Sequence, residues 1–154
     1  MNDREKNRLL IELSESVRTD FGKVDFRSQS FPQKIFSAIW DLESEVNSGG
    51  FCQYFLNSSN ETAHFLVEAL GAIGASDTAE ICKRAIDTAF PAGLPLDPNT
   101  IHESAERFPD ETRDALDFLD REVFKYPNDL TELLYAHVAK HPEEFGHVPR
   151  ATVN

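Results

Sequence analysis

The spacing of apolar residues after Ser76 constrains the fold of this chain more than any other feature. These residues recur three and four positions apart, which is the repeat of one face of an α-helix. The series consists of Ile81, Cys82, Ala85, Ile86, Ala89 and Phe90. No segment alternates apolar and polar residues for long enough to form a strand. The sequence therefore predicts an all-α fold.

Helical spacing and helix-breaking residues divide the rest of the chain into further short helices. We expect loops over 22–30 and 91–98. The helices are predicted at about 4–20, from Pro32 to Gly49-Gly50, over 51–56, around Phe65–Ile73, over 76–90, near 100–107, near 110–125, and from Asn128 or Asp129 to about 140. The expected architecture is a single helical domain over 1–154, a compact bundle of about six to eight short helices with a flexible tail over 146–154.

Two helix starts are assigned to local polar residues. The run Asn57–Asn60 offers N-cap candidates for the helix around Phe65, because short polar side chains accept hydrogen bonds from the first free backbone N–H groups. Ser76 or Asp77 would cap the next helix in the same way. The helix before them would close at Gly74, since glycine readily adopts a left-handed conformation.

The composition indicates a reduced, aqueous compartment. Two cysteines, Cys52 and Cys82, are too few for a disulfide scaffold, and both lie among apolar residues. No apolar run approaches the roughly 18 residues that a membrane-spanning helix needs. The charged N-terminal segment differs from a signal peptide. We therefore expect a cytoplasmic protein without a membrane partner.

The net charge of −12 limits the classes of partner. Nucleic-acid binding relies on Lys and Arg that release counterions from phosphates, so this charge argues against direct binding to nucleic acid. It argues equally against anionic membrane surfaces. A basic protein remains a suitable partner, although acidity also serves solubility.

Acidic residues concentrate in two stretches. Between Lys34 and Lys83 there are seven acids and no Lys or Arg, including Asp41, Glu43 and Glu45. From Glu103 to Glu122, eight acids stand against three arginines, and they are Glu103, Glu106, Asp110, Glu111, Asp114, Asp117, Asp120 and Glu122.

In the predicted helix near 110–125, Asp110, Asp114 and Asp117 share one face, opposite Leu116, Leu119 and Val123. Carboxylates four residues apart lie roughly 6 Å apart along the helix axis. Such a row can imitate the regular negative charge of a nucleic-acid backbone and occupy a basic groove. It can also be an ordinary solvated helix face, which charge pattern alone favours.

Signals of catalysis or metal binding are weak. The glycines match no phosphate-binding loop or dinucleotide motif. His137 and His141 are four apart on a predicted helix and could share a metal with Glu144 or His147, but His137 also lies on the apolar stripe. Cysteine catalysis would need a base such as His64 or Glu68 beside a thiol, and nothing in the sequence places one there. We expect no catalytic residues, no metal and no cofactor.

The segment from Trp40 to Ser58, WDLESEVNSGGFCQYFLNS, is more distinctive than its chemistry explains. It continues through EALGAIGA at 68–75 and AEICKRA at 79–85. These motifs resemble the DNA-mimic protein family, in particular the domain of the mimic numbered nineteen. The resemblance is close over about 35–90 and looser to about 145. It implies an all-helical fold without known catalytic activity, a homodimer, and acidic side chains presented to a DNA-binding transcription factor.

The shared motif also has a structural interpretation. Gly49 and Gly50 allow a tight reversal, and aromatic residues after them supply a wedge into the core. Polar residues around the glycines could bond the exposed helix ends, or Glu45, Asn47 and Gln53 could line a small ligand pocket. The motif residues, which we expect to be mainly structural, are Trp40, Asn47, Gly49, Gly50, Phe51, Gln53, Phe55 and Asn57.

The sequence thus favours a non-enzymatic acidic interaction protein, a DNA mimic that occupies the basic nucleic-acid-binding surface of a protein. The partner-binding residues expected are Glu103, Glu106, Asp110, Asp114, Asp117 and Asp120, with Asp41, Glu43 and Glu45 second. The alternative is an immunity or regulatory module that recognises one protein by shape, with acidity serving solubility. A ligand- or metal-binding enzyme is a third, less supported class.

Overall fold

The computed structural model describes residues 2–15 and 20–146 of the chain. Within these ranges it contains eight α-helices and no strand, which confirms the all-α fold. The helices are α1 (Asp3–Ser14), α2 (Phe31–Leu56), α3 (Ala63–Ala72), α4 (Ser76–Ala89), α5 (Pro98–Glu106), α6 (Asp110–Phe124), α7 (Leu130–Lys140) and α8 (Pro142–Phe145). Short 3₁₀ turns occupy Asp20–Lys23, Phe26–Ser28 and Ser58–Thr62.

The first helix is shorter than predicted. Asn2 caps it through a reciprocal pair of bonds with Glu5, and its last helical residue is Ser14. Of the rest of the predicted helix over 4–20, residue 20 belongs to a 3₁₀ turn and residues 16–19 lie outside the described residues. The flexible tail predicted over 146–154 also lies outside them from residue 147 onward. The predicted loop over 22–30 contains parts of two 3₁₀ turns.

Helix α2 is the centre of the fold and packs against α3, α5, α6, α7 and α8. Its apolar face is buried because Ile35, Phe36, Ile39 and Leu42 recur at helical spacing. Ser30 caps its start through the backbone N–H of Gln33 and the side chain of Gln33 bonds back. This arrangement explains why the chain becomes helical at the Pro32 segment.

The predicted stop at Gly49-Gly50 is a kink inside one long helix. Gly50 has φ 77° and ψ −173°, a conformation open to glycine alone, and helical geometry resumes at Phe51. The short aromatic helix after the glycines is therefore confirmed, while the glycines redirect the helix without a loop.

The two predicted side-chain caps at α3 and α4 are wrong. Thr62 precedes α3 without a capping bond, and Asn60 instead donates its amide to the carbonyl oxygens of Phe55 (2.9 Å) and Pro98 (3.1 Å). Ala75 precedes α4, so neither Ser76 nor Asp77 caps it. The backbone N–H of Thr78, which a local cap would bind, instead donates to a residue fifty positions later in the sequence.

That residue is Asn128, which lies between α6 and α7. Its Oδ1 accepts from the backbone N–H of Thr78 at 2.9 Å and from the Thr78 hydroxyl at 3.0 Å. The start of α4 is thereby tied to the C-terminal helices.

The last helices follow the sequence pattern. Asp97 caps α5 and Asp129 caps α7, each by accepting from a backbone N–H two or three residues on. Helix α6 packs against α2 and α4 and buries Leu116, Leu119 and Val123. None of the described helices combines the length and apolar character needed to cross a membrane.

Candidate interaction surface

The outer face of α6 carries a row of three carboxylates. Asp110, Asp114 and Asp117 are all exposed, opposite the buried apolar face of the helix. Within residues 2–15 and 20–146, no hydrogen bond or ion pair engages any of these three side chains. The row is therefore an unneutralised negative surface, as the spacing predicts.

Helix α5 adds two exposed acids, Glu103 and Glu106, which are not equivalent. Glu106 lies 2.7 Å from Nε2 of His102, so a protonated imidazole neutralises it. The Nδ1 atom of His102 bonds the carbonyl of Leu56 at 2.5 Å, and that bond is the main cause of a raised His102 pKa. Within the described residues, no hydrogen bond or ion pair engages the exposed side chain of Glu103.

Asp120 does not belong to this row, which corrects the prediction for it. Its Oδ1 accepts from the backbone N–H of Phe51 at 2.8 Å. That N–H directly follows the Gly50 kink, where helical geometry resumes in α2. Desolvation raises the pKa of Asp120, and the Phe51 hydrogen bond opposes the shift. The carboxylate is structural and faces α2.

The three acids of α2 do not form one patch, which corrects their grouping as a second binding set. Residues two apart on a helix point roughly 200° apart. Asp41 lies near Glu45 and Glu61, whereas Glu43 lies near Asp129. Burial is the largest cause of the raised pKa of both Asp41, to about 7, and Glu43.

Glu45 is occupied by neighbours of the family motif. Its Oε2 accepts at 2.8 Å from the amide of Gln53 and at 2.8 Å from the amide of Asn57. The carboxylate thus links α2 before the kink to α2 after it. These two hydrogen bonds to one charged oxygen hold the angle of the kink.

Asn47 points elsewhere, so Glu45, Asn47 and Gln53 do not form the small ligand pocket that was the alternative to a structural role. The hydroxyl of Tyr126 donates to Oδ1 of Asn47 at 3.2 Å. Glu45 and Gln53 are already bonded to each other. The expectation that the motif amides bond free helix ends is also wrong, because Asp120 takes that role at Phe51.

The glycine motif is a structural junction, as expected. A Cβ on Gly50 would overlap the carboxylate of Asp120, and one on Gly49 would overlap the side chain of Gln53. The aromatic wedge after the glycines is confirmed: Phe55 contacts the rings of Phe90 and Phe108, with centroids 5.2 and 6.2 Å away. Phe51 is also buried and stacks on Phe55. Trp40 stacks on Phe36 with centroids 5.7 Å apart.

The histidine and cysteine candidates have structural contacts. His137 is buried and its Nε2 lies 2.9 Å from the carbonyl of Pro32, while burial lowers its pKa. His147 is outside the described residues, and among those described no three His, Cys, Asp or Glu converge as metal ligands. Burial raises the pKa of both thiols, Cys52 and Cys82, which disfavours the reactive thiolate.

Exposed aromatic side chains adjoin the acidic row. Phe118 and Phe124 on α6 are 48% and 44% exposed, and Tyr126 follows the helix at 49%. Arg121 lies over the ring of Phe118, with its guanidinium carbon 6.0 Å from the centroid. The surface of α6 therefore offers both charge and apolar area to a partner.

These features define the class of protein: an acidic, all-helical chain with a glycine motif that shapes its central helix and a row of exposed carboxylates on α6. The model of the DMP19-like protein family matches residues 28–141. The chain belongs to the DMP19-like protein family. Searches of curated proteins and of solved structures gave no significant match.

The sequence does not predict two structural contacts that shape the fold around the site, those of Asp120 and Asn128. Each side chain accepts a hydrogen bond from a backbone N–H far away in the sequence, 69 residues for Asp120 and 50 for Asn128. The available signal is indirect. Phe51 follows two glycines, which signals that its N–H needs an acceptor outside the helix. No comparable signal exists for Thr78, because Ser76 and Asp77 are local cap candidates in the sequence.

Proposed function

We propose that this chain is a non-enzymatic protein-binding module whose acidic α5–α6 surface occupies the basic, nucleic-acid-binding surface of a partner protein. The observation that carries this proposal is the row of Asp110, Asp114 and Asp117, exposed and without a cation. Such a row repels itself slightly, at roughly 0.2–0.5 kcal/mol per like-charged pair. A basic partner would relieve that repulsion. Membership of the DMP19-like family supports the same function.

The row alone is sparser than a nucleic-acid strand. It supplies one charge about every 5–6 Å, whereas each DNA strand carries one about every 3.4 Å of axis. Glu103, Glu106 and Glu111 are further exposed acids of the same two helices. The binding residues we propose are therefore Glu103, Glu106, Asp110, Asp114 and Asp117. Asp120 and Glu45 are excluded because they hold the kink.

A second candidate function is recognition of one protein by shape, as in an immunity or regulatory module. The observation that favours it is the exposed aromatic area of Phe118 and Phe124 beside the row. Apolar contacts survive salt, whereas exposed charge pairs are screened beyond about 8–10 Å. A complex that persists at high salt would favour this function.

The test is a pull-down with the tagged chain from the extract of its native cell, washed at low and then at high salt. The comparison is between the wild type, the triple variant Asp110→Asn, Asp114→Asn, Asp117→Asn, and a control. The control removes the same charge from exposed positions of α3 and α4, through Glu68→Gln, Glu80→Gln and Asp87→Asn.

Mimicry predicts that the wild type and the control retain a DNA-binding protein and that the triple variant does not. High salt or duplex DNA should release this protein from the wild type. Equal recovery by all three chains would exclude the row as the binding surface. The homodimer and the cytoplasmic location remain predictions, which sedimentation analysis and cell fractionation would test.

A further inference from the structure

A cavity of about 260 Å³ lies between α2 and the 3₁₀ turns of residues 20–28. It is on a different part of the chain from the acidic row of α6. The aromatic side chains of Phe26, Phe36 and Trp40 line it, and so do the polar groups of Gln29, Asp41 and Glu61. Both kinds of wall are needed to hold a group that is charged at one end and apolar along its stem.

Asp41 is the unusual group in this cavity. Its side chain is half-buried, and within the described part of the chain no hydrogen bond or ion pair engages it. The charges that act on it most, Glu61 and Glu45, have the same sign. A carboxylate in such a place is unfavourable until a cation or a proton joins it.

Among the described residues, two cations near the cavity contact other groups. Lys23 lines the cavity, but its Nζ lies 3.9 Å from Asp20 and its side chain is mostly exposed. Lys34 lies over the ring of Phe26, with Nζ 5.6 Å from the centroid. The charged residues of the lining are Asp25, Asp41 and Glu61 against Lys23, a net charge of −2.

The polar side chain of Gln29, which also lines the cavity, is fixed in place. Oε1 of Gln29 accepts from the hydroxyl of Ser37 at 2.6 Å, and its Nε2 donates to the carbonyl of Val24 at 3.0 Å. Trp40 is held by stacking on Phe36. A cavity with such fixed walls loses little conformational freedom when a ligand enters.

We propose that this cavity binds a small organic cation, an alkylammonium or guanidinium group, with its charge against Asp41 and its stem along Trp40 and Phe26. Carboxylates form the stronger hydrogen bonds with such cations, and aromatic rings attract them further. The cation comes either from a free small molecule or from a Lys or Arg side chain of a bound protein. The chemistry of recognition is the same in both cases.

Trp40 makes the test direct, because it is the one tryptophan of the chain. The probes are butylammonium and agmatine, titrated at constant ionic strength and about pH 8, where Asp41 is ionised. We expect a saturable change in Trp40 fluorescence with both cations and none with butanol, which has the same stem without the charge. N-acetyl-arginine amide distinguishes the sources: binding at least as tight as agmatine indicates a protein side chain, and weaker binding indicates a free molecule.

Two variants and one control locate the site. Asp41→Asn should weaken binding at least about tenfold, the loss expected for a charged hydrogen bond of roughly 1.5 kcal/mol or more. Glu61→Gln, at an exposed position, should weaken it by a smaller factor. Asp114→Asn removes one charge from the α6 row and should leave binding unchanged.

Acidification gives an independent readout. As the pH falls from about 8 to 6, Asp41 becomes protonated, which its burial and the charges of Glu61 and Glu45 favour. This should weaken binding of the cations in the wild type but not in Asp41→Asn. The proposal is overturned if no titration saturates, if butanol acts like butylammonium, or if Asp41→Asn binds like the wild type. Any of these results leaves the proposed role of the α5–α6 row untouched.

Discussion

Asp117 and Asp120 are three positions apart on α6, and the structure gives them different roles. Asp117 is exposed and has no hydrogen bond or ion pair with any residue that the structure describes, whereas Asp120 accepts the backbone N–H of Phe51. Helical periodicity predicts the exposed face of α6 because that face depends on local sequence alone. The role of Asp120 depends on a kink 69 residues earlier, which a periodic pattern does not contain.

Removing the Asp120 carboxylate should destabilise the fold. Asp120→Ala leaves the N–H of Phe51 without an acceptor, at a cost of about 1–3 kcal/mol in the free energy of unfolding. Asp120→Asn keeps an acceptor oxygen and should cost less than half of that. Chemical denaturation followed by circular dichroism measures both. Asp117→Ala, the control, should remain within about 0.5 kcal/mol of the wild type, and equal losses at the two sites would contradict the assignment.

Asp41 should make stability depend on pH. Its pKa is about 7 in the folded chain and ordinarily about 3.9 in an unfolded one. The folded state therefore holds the extra proton between about pH 4 and 7, and the contribution of this carboxyl to the free energy of unfolding falls as the pH rises through that range.

Asp41→Asn should abolish this part of the pH dependence. Between about pH 4 and pH 8, the free energy of unfolding of the variant should rise by about 1–3 kcal/mol relative to that of the wild type. This range allows for solvent screening at a partly exposed group. Thermal unfolding at a series of pH values measures the difference. A constant difference over the range would mean that Asp41 titrates normally.

At the scale of the element, α2 shows what glycine contributes to the fold. The Gly49-Gly50 pair predicts a break in the helix, and the structure confirms one at Gly50. The sequence does not predict the direction of the kink. Asp120 of α6 bonds the N–H of Phe51, and Gln53 and Asn57 both bond Glu45 across the kink. The motif therefore predicts that the helix breaks, but it does not predict the direction of the kink.

Alanine at the kink should be costly. Gly50→Ala combines a backbone conformation that costs roughly 1–3 kcal/mol for other residues with an overlap on Asp120, so we expect a loss of about 2–4 kcal/mol. Gly71→Ala is the matched control, since Gly71 is helical and exposed with open space around it. The control should be neutral or stabilise by up to about 1 kcal/mol. Denaturant midpoints compare the two, and similar values would argue against a special role for Gly50.

Helix α4 depends on a distant cap. Ser76 and Asp77 were the local candidates, but Asn128 binds the N–H of Thr78 from fifty residues away. Local propensity cannot reveal such a cap, since the acceptor arrives only when α6 and α7 pack.

Removal of that cap should loosen the start of α4. Asn128→Ala should cost about 1–2 kcal/mol, the range measured for lost N-caps. Amide hydrogen exchange should accelerate at Thr78 and the following residues of α4. Asn99→Ala, at an exposed position of α5, controls for removal of an asparagine side chain. Unchanged protection of α4 in Asn128→Ala would contradict the capping role.

At the scale of the whole molecule, fold and surface are read from the sequence with different success. The all-α architecture and most helix positions follow from apolar spacing, and the family follows from the motif around Gly49-Gly50. The acidic residues fall into three groups on folding: those of α5 and α6 are exposed, Asp120 and Glu45 hold α2 together, and Asp41 lines a cavity. Only packing separates these three roles, because the sequence presents all of them as carboxylates.

The central claim is that the carboxylates of α5 and α6 bind a basic surface. The most direct measurement is the affinity of the purified chain for the protein recovered from the extract, determined at increasing salt concentrations. The account predicts a steep fall in affinity with salt, a shallower one for the variant Asp110→Asn, Asp114→Asn, Asp117→Asn, and displacement of the wild type by duplex DNA. An affinity that is insensitive to salt and identical in the triple variant would contradict it.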